Sequence, residues 1–234
     1  MIARSIQRVL ADRFHDLVAY ALPQRCPACG EEAEASRILC ADCWDAIPRL
    51  SISVCARCLA HAREPVGCLA HDGQRVWAAW VYDERAAILI HALKYGERFG
   101  VAARLGLELA RVAPPAFRPE LILEVPLHPT RRRERGYNQA ALLADAMSEH
   151  IGAPRVADAL ERIRPTRPQA RLGLDARRAN VLDAFRVRRP SWVKGRNVLV
   201  VDDVMTTGAT LGACLAALAR AGACAQGIAL AWSQ

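Results

Sequence analysis

One stretch constrains the fold of this chain more than any other: Asn197-Val-Leu-Val-Val-Asp-Asp-Val-Met-Thr-Thr-Gly-Ala-Thr210. Four consecutive apolar residues, Val198 to Val201, read as a strand buried on both faces, and such a strand belongs in a parallel sheet covered by helices. It runs into two carboxylates, Asp202 and Asp203, then a Thr/Gly turn and a helix. In open α/β sheets ligands bind beyond the carboxyl ends of strands, where these acids fall. The turn Thr206, Thr207, Gly208, Ala209 and Thr210 offers backbone N–H groups at a helix N-terminus with hydroxyls beside them, which is a cradle for a phosphate. Gly208 lets the backbone approach the anion closely.

The rest of the C-terminal part fits that sheet. Short apolar runs predict strands at Val76–Tyr82, Leu121–Val125, Val198–Asp202 and Gln226–Trp232. Helical spacing predicts helices at Glu84–Leu93, Val101–Val112, Gln139–His150 and Ala209–Ala221. The expected organisation is an α/β domain over 75–234, with a mostly parallel sheet and flanking helices, behind a small N-terminal module over 25–74. A chain of 234 residues has room for one full core and a satellite.

The satellite is read from its cysteines. Seven of the nine lie between Cys26 and Cys68, six of them as Cys26-x-x-Cys29, Cys40-x-x-Cys43 and Cys55-x-x-Cys58. Two residues between ligands let a tight turn aim both thiolates at one tetrahedral ion, and a second such turn completes the shell. Cys26, Cys29, Cys40 and Cys43 therefore form a closed structural zinc set, with Gly30 letting the first knuckle turn back. Cys55 and Cys58 need two further ligands, and Cys68-x-x-His71 supplies them at nearly the same separation, giving a second zinc; His61 competes for a place, and cross-braced pairing is an alternative that spacing leaves open. A disulfide framework is the rival, but no secretory signal places the chain in an oxidising compartment. A module of this size buries little core, so the metal supplies its folding energy.

The N-terminus, residues 1–24, carries Arg4, Arg8, Asp12, Arg13 and Asp16 among apolar residues at helical spacing. It reads as an amphipathic helix docked on the body, with a membrane-surface helix as the rival. No charge-free stretch reaches the roughly 18–20 residues a bilayer span requires. A cytoplasmic protein is expected. The net charge of +8 is concentrated: Pro126 to Arg196 holds 16 Lys and Arg against 7 Asp and Glu, so that span carries +9. It implies a phosphate-rich ligand or nucleic acid as partner, with a solvated basic face as the bland alternative.

The string Val198 to Thr210 resembles the signature of type I phosphoribosyltransferases for phosphoribosyl pyrophosphate (PRPP). His91-Ala-Leu-Lys-Tyr95, Val125-Pro-Leu-His-Pro129, Arg132-Arg-Glu-Arg-Gly-Tyr-Asn-Gln139 and Pro168-Gln-Ala-Arg-Leu172, in this order behind paired cysteines, resemble the ComF family over nearly the entire chain. The resemblance implies a type I phosphoribosyltransferase-like sheet behind a double zinc ribbon. It implies that Asp202 and Asp203 hold the ribose hydroxyls as catalytic residues, that Thr206 to Thr210 hold the 5′-phosphate, and that Mg²⁺ accompanies PRPP. The turn Pro126-Leu127-His128 resembles the pyrophosphate loop. Arg131 and Arg135 follow it with guanidinium forks suited to a diphosphate, and Lys94 is placed nearby. The stretch Arg164 to Arg178, with Arg167 and Arg171, resembles the hood that closes over the site in this fold. His71 departs from the family pattern, where cysteine is common. Homodimers are common in the fold.

Two functions follow from these expectations. One is transfer of the phosphoribosyl group to an unidentified nitrogen acceptor with release of pyrophosphate, in a protein associated with competence and DNA uptake. The other is a non-catalytic, zinc-dependent accessory protein that holds single-stranded nucleic acid and senses PRPP. Aromatic residues are only 6% of the chain and are not interleaved with the basic run, which weighs against stacking platforms for bases.

Overall fold

Residues 24–34, 37–50, 53–56, 61–62, 74–95, 99–114, 116–163 and 184–233 are described by the structure, a computed structural model. In chain order the elements are β1 (Gln24–Arg25), β2 (Glu32–Ala33), α1 (Ala41–Asp45), β3 (Ser53–Cys55), β4 (His61–Ala62), β5 (Arg75–Val81), α2 (Glu84–Tyr95), α3 (Phe99–Val112), β6 (Leu121–Glu124), α4 (Pro129–Arg135), α5 (Gln139–Ile151), β7 (Leu160–Arg162), β8 (Phe185–Val187), α6 (Pro190–Val193), β9 (Asn197–Met205), α7 (Ala209–Arg220) and β10 (Cys224–Trp232).

The four strands expected from the sequence run as neighbours in one sheet in the order β5-β10-β9-β6, all parallel, with β6 at the edge. Helices cover both faces. Leu89, Leu93, Leu105, Leu109, Leu143 and Met147 of α2, α3 and α5 fill one layer. Leu211, Cys214, Leu215 and Leu218 of α7, with Phe185 of β8, fill the other. Val198 to Val201 are buried without interruption because both faces of β9 are covered.

β9 differs from expectation by continuing through both acids to Met205. Beyond Asp202 it still pairs with β10, Val204 opposite Ala231 and Met205 opposite Trp232. These apolar partners let the ladder carry a carboxylate pair inside a strand rather than after it.

Helix ends follow local chemistry. Asp83 caps α2 by accepting from the Ala86 N–H at 2.8 Å. Asn138 caps α5, which ends at Gly152 with φ +75°. Gly106 of α3 lies so close to α5 that an added Cβ would sit 2.4 Å from the Ala146 Cβ, so these helices meet only because glycine stands there.

The sheet does not stop at β5. β3 pairs antiparallel with β5 and β4 with β3, so segments on both sides of residue 74 share one sheet. The Leu50 N–H donates to Ala79 O and the Val81 N–H to Pro48 O, which extends the antiparallel contact along β5. The N-terminal helix expected over 1–24 lies outside the described residues apart from Gln24, which is in β1. Among the described residues no helix is long and apolar enough to cross a membrane.

Candidate functional site

Asp202 and Asp203 sit where β9 nears its carboxyl end. Successive side chains of a strand point to opposite faces. Asp203, only 5% exposed, is ion-paired with Lys94 of the last turn of α2. Burial alone would raise its pKa, but the Lys94 charge and hydrogen bond outweigh that and hold the carboxyl below the usual range. Asp202 accepts from the Asp203 N–H at 2.9 Å. Burial first, and the neighbouring Asp203 charge second, push its pKa well above the ordinary carboxylate value. One acid is thus held ionised and the other is biased toward its protonated form.

Thr206, Gly208, Ala209 and Thr210 line a small cavity with Asp202. Gly208 adopts φ +66° at the N-cap of α7. The chain can turn there from strand to helix because glycine carries no Cβ. The Thr207 hydroxyl is buried and accepts from the Ala209 N–H at 3.4 Å, so it serves the turn itself. Trp232 Nε1 donates to Thr206 O at 3.1 Å and pins the loop to the end of β10.

β6 brings the next turn alongside. The Val125 N–H donates to Val201 O at 2.9 Å, and Asn138 donates to Val125 O at 3.0 Å, which fixes where Pro126 and Leu127 leave the sheet. His128 is the N-cap of α4, its Nδ1 accepting from the Thr130 N–H at 3.3 Å. Beyond it, Lys94, Tyr95, Arg131, Glu134, Arg135 and Tyr137 line a cleft of about 470 Å³. Arg135 donates to the Tyr95 hydroxyl and to Gln139, and Tyr137 donates to Leu93 O at 2.7 Å, so α4 and the loop after it are fastened to the end of α2.

The structure therefore brings together Asp202, Asp203, the Thr206 to Thr210 turn, Lys94, Arg131 and Arg135. Leu127 is half-buried in the turn beside them. Arg167 and Arg171 lie outside the described residues, but the ribbon of β7 and β8 places the two ends of their segment. At the base of that ribbon stands Arg162, which sequence reading passed over. Desolvation lowers its pKa, and its guanidinium lies over the Phe185 ring at 5.6 Å. Its alternation in Leu160-Glu161-Arg162 was the available signal.

A second cluster lies in the N-terminal module. The Sγ atoms of Cys26, Cys29, Cys40 and Cys43 all fall within 4.8 Å of one another. Cys29 and Cys40 are 3.7 Å apart. A tetrahedral zinc with Zn–S bonds of about 2.3 Å sets its sulfurs roughly 3.8 Å apart, so this all-thiol donor set fits zinc. Gly30, with φ +80°, and its N–H bond to Cys26 O at 2.8 Å turn the first knuckle, and Cys40 caps α1 by accepting from the Cys43 N–H. Burial would raise the Cys26 thiol, but backbone N–H groups led by that of Cys40 bring it down to about 6, while the hydrogen-bonded Cys29 thiol and burial push Cys43 up to about 12. Of the second expected set, Cys55 is buried in β3, while Cys58, Cys68 and His71 lie outside the described residues.

Comparison with known proteins gives these parts a context. The double zinc ribbon domain family matches residues 17–70, and the phosphoribosyl transferase domain family matches residues 137–234. The DNA utilization protein YhgH of Salmonella typhimurium is 33% identical over 79% of this chain and 86% of its own length. YhgH of Escherichia coli K12 is 32% identical over 86% of each. Competence protein F of Haemophilus influenzae is 32% identical over 80% of this chain and 87% of its own. A solved structure of the allosteric regulatory enzyme of purine biosynthesis superposes on 59% of this chain and 29% of its own, at a TM-score of 0.40 and 19% identity, too distant to carry weight.

Proposed function

Because the chain belongs to the ComF/YhgH-like family of double-zinc-ribbon, phosphoribosyltransferase-domain proteins, we propose that it binds PRPP at the acid pair and transfers the phosphoribosyl group to a nitrogen acceptor. The observation that carries this reading is the continuity of Asp202, Asp203, the Gly208 turn and the start of α7 at one end of the sheet, with a basic cleft opening beside them.

Asp203 and Asp202 take the ribose hydroxyls. The Asp203 carboxylate accepts from one hydroxyl, and the Asp202 carboxyl accepts from the other. The N–H groups of Gly208 to Thr210, with the Thr206 and Thr210 hydroxyls, take the 5′-phosphate. Arg131 and Arg135 take the diphosphate, with Lys94 beside them in its pair with Asp203. The bond from the anomeric carbon to the diphosphate oxygen breaks, the bond to the acceptor nitrogen forms, and that nitrogen gives up a proton. The barrier falls through stabilisation of an oxocarbenium-like sugar and an anionic leaving group, with no covalent intermediate. Mg²⁺ bound with the diphosphate supplies further charge neutralisation through oxygen ligands. Cys26, Cys29, Cys40 and Cys43 would hold a structural zinc, leaving no position for substrate.

The names of the relatives link the protein to competence and DNA utilization. A second reading, a nucleic-acid-binding accessory role, is favoured by the exposed arginines of α4 beside Tyr95, whose ring is 60% exposed under Arg135. Calorimetric titration of the zinc-loaded protein with PRPP and Mg²⁺ tests the first reading, with an Asp202→Asn/Asp203→Asn variant and a single-stranded DNA control. Saturable binding that the variant loses by at least about 100-fold, nearly 3 kcal/mol, is expected. Absence of PRPP binding, with DNA binding that weakens steeply in salt, selects the accessory role.

A further inference from the structure

The helix behind the Gly208 turn is gripped by the cysteine-bearing segment. Gly212 closes the first turn of α7, its N–H donating to Gly208 O at 2.7 Å. The same residue meets Ala56: a Cβ added to it would stand 3.0 Å from the Ala56 backbone oxygen, closer than side-chain carbons ordinarily come. Three residues on, Leu215 O accepts from Gln74 Nε2 at 3.1 Å. The Ala56 N–H donates to Gln74 O at 3.0 Å, so the two gripping residues are themselves tied. They stand at the two ends of the stretch that carries Cys58, Cys68 and His71. Val54, Ala56 and Val76 share one apolar cluster with Leu211 and Leu215. Leu211, 1% exposed, also lines the small cavity beside Asp202, Thr206 and Thr210.

An anion at a helix start is held by the N–H groups of the first turn, and such a site works only when those groups are fixed to within about 0.5 Å. The Trp232 hydrogen bond to Thr206 O fixes where the turn leaves the sheet, and the contacts at Gly212 and Leu215 fix the helix that follows. Alanine is the better helix former, so a glycine inside α7 weakens the helix unless a close approach requires it. The Ala56 oxygen is that approach. We propose that Gly212 is a positioning residue and that Ala56 and Gln74 are the backstop it rests on, so that the cysteine-bearing segment sets where α7 presents its first N–H groups and thereby the affinity for a sugar 5′-phosphate. The phosphate half of this proposal rests on the PRPP reading above; the grip on α7 does not.

The test uses the full chain as wild type, Gly212→Ala and Gln74→Leu. Calorimetry gives the affinity for ribose 5-phosphate, which carries the 5′-phosphate without the diphosphate, and for pyrophosphate with Mg²⁺, which is the reverse. Melting temperature and amide exchange across residues 206–215 are recorded beside them. Gly212→Ala is expected to weaken ribose 5-phosphate about tenfold, in keeping with a shift of a fraction of an ångström where about 1 Å costs roughly 100-fold, and to leave pyrophosphate unchanged. Gln74→Leu, which removes the donor to Leu215 O, weakens ribose 5-phosphate by a smaller factor and speeds exchange at 208–212. A merely structural role predicts the opposite for Gly212→Ala, because alanine favours the helix: an equal or higher melting temperature with ribose 5-phosphate bound as before. Unchanged ribose 5-phosphate affinity in Gly212→Ala overturns the proposal, as does a loss shared equally by pyrophosphate. Should Gly212→Ala not fold, the same two affinities in Gln74→Leu decide. If the wild type binds neither ligand, the functional reading falls by itself, and exchange then decides the grip: unaltered protection at 208–212 in Gln74→Leu overturns it, and faster exchange upholds it.

Discussion

Between residues 24 and 47 the described chain has two strands of two residues each and one five-residue helix, whereas residues 197–205 form nine strand residues paired with β10 along their length and with β6 over Val198 to Val201. Both regions hold polar atoms at fixed separations. The knuckle lends Leu39, Trp44 and Ile47 to the main core, but its regular structure is slight and its four thiols converge on one point, so a metal would hold the turns that packing leaves loose. In β9 the carboxylates are carried by a ladder whose residues Val198 to Val201 are fully buried, and the order of the sheet is imposed on the acids. A site built by a metal is lost with the metal, while a site built by a sheet is lost only with the fold.

The sharpest way to break this contrast is to strip the metal. Apparent free energies for structural zinc run to about 10–16 kcal/mol, so a chelator at neutral pH is expected to abolish amide protection across 24–47 while β9 and β10 stay protected. Equal loss in β9 would dissolve the distinction. Next in size are two core truncations. Trp44→Ala, at the junction where Trp44 meets Trp80 at 5.4 Å, should cost about 3–5 kcal/mol in urea unfolding, and Leu199→Ala in the sheet about 2–5 kcal/mol. Only the former should also raise the rate of zinc loss. Arg104 lies 3.5 Å over the Trp44 ring, and Arg104→Met should cost about 0.5–2 kcal/mol.

The smallest effect has the opposite sign. Because the folded pKa of Asp202 is raised, its contribution to stability falls as pH rises from the unfolded carboxylate value through the folded one. Asp202→Asn removes that loss, so the variant should melt above the wild type at neutral pH and converge with it in acid. Asp203 works the other way, its contribution present above the unfolded carboxylate value and lost as pH falls through its lowered folded one. Melting curves of Asp202→Asn between pH 4 and 8 check the direction, and a variant less stable than wild type at neutral pH contradicts it.

The parallel sheet, its four central strands and the flanking helices were legible because each rests on local periodicity. The first zinc set was legible because the ligand spacing is itself local. Pairings distant in sequence were not. Lys94 was placed near a diphosphate, but its partner Asp203 lies 109 positions away and only the packing of α2 on β9 reveals it. Arg162 reads as one more surface arginine until the β7–β8 ribbon sets it over the Phe185 ring. Nor does composition show that β3 continues the sheet, because three residues cannot declare a partner.

That continuation decides what happens at the rim of the sheet. Without β3 and the segment at Pro48 to Leu50, β5 would present the free N–H and C=O groups of Arg75-Val-Trp-Ala-Ala-Trp-Val81, an apolar run with one charge. An open edge of that composition is a template for adding strands from other molecules. The cysteine-bearing segment is therefore also a guard against self-association, and a chain cut before Arg75 would be expected to aggregate even with its core intact.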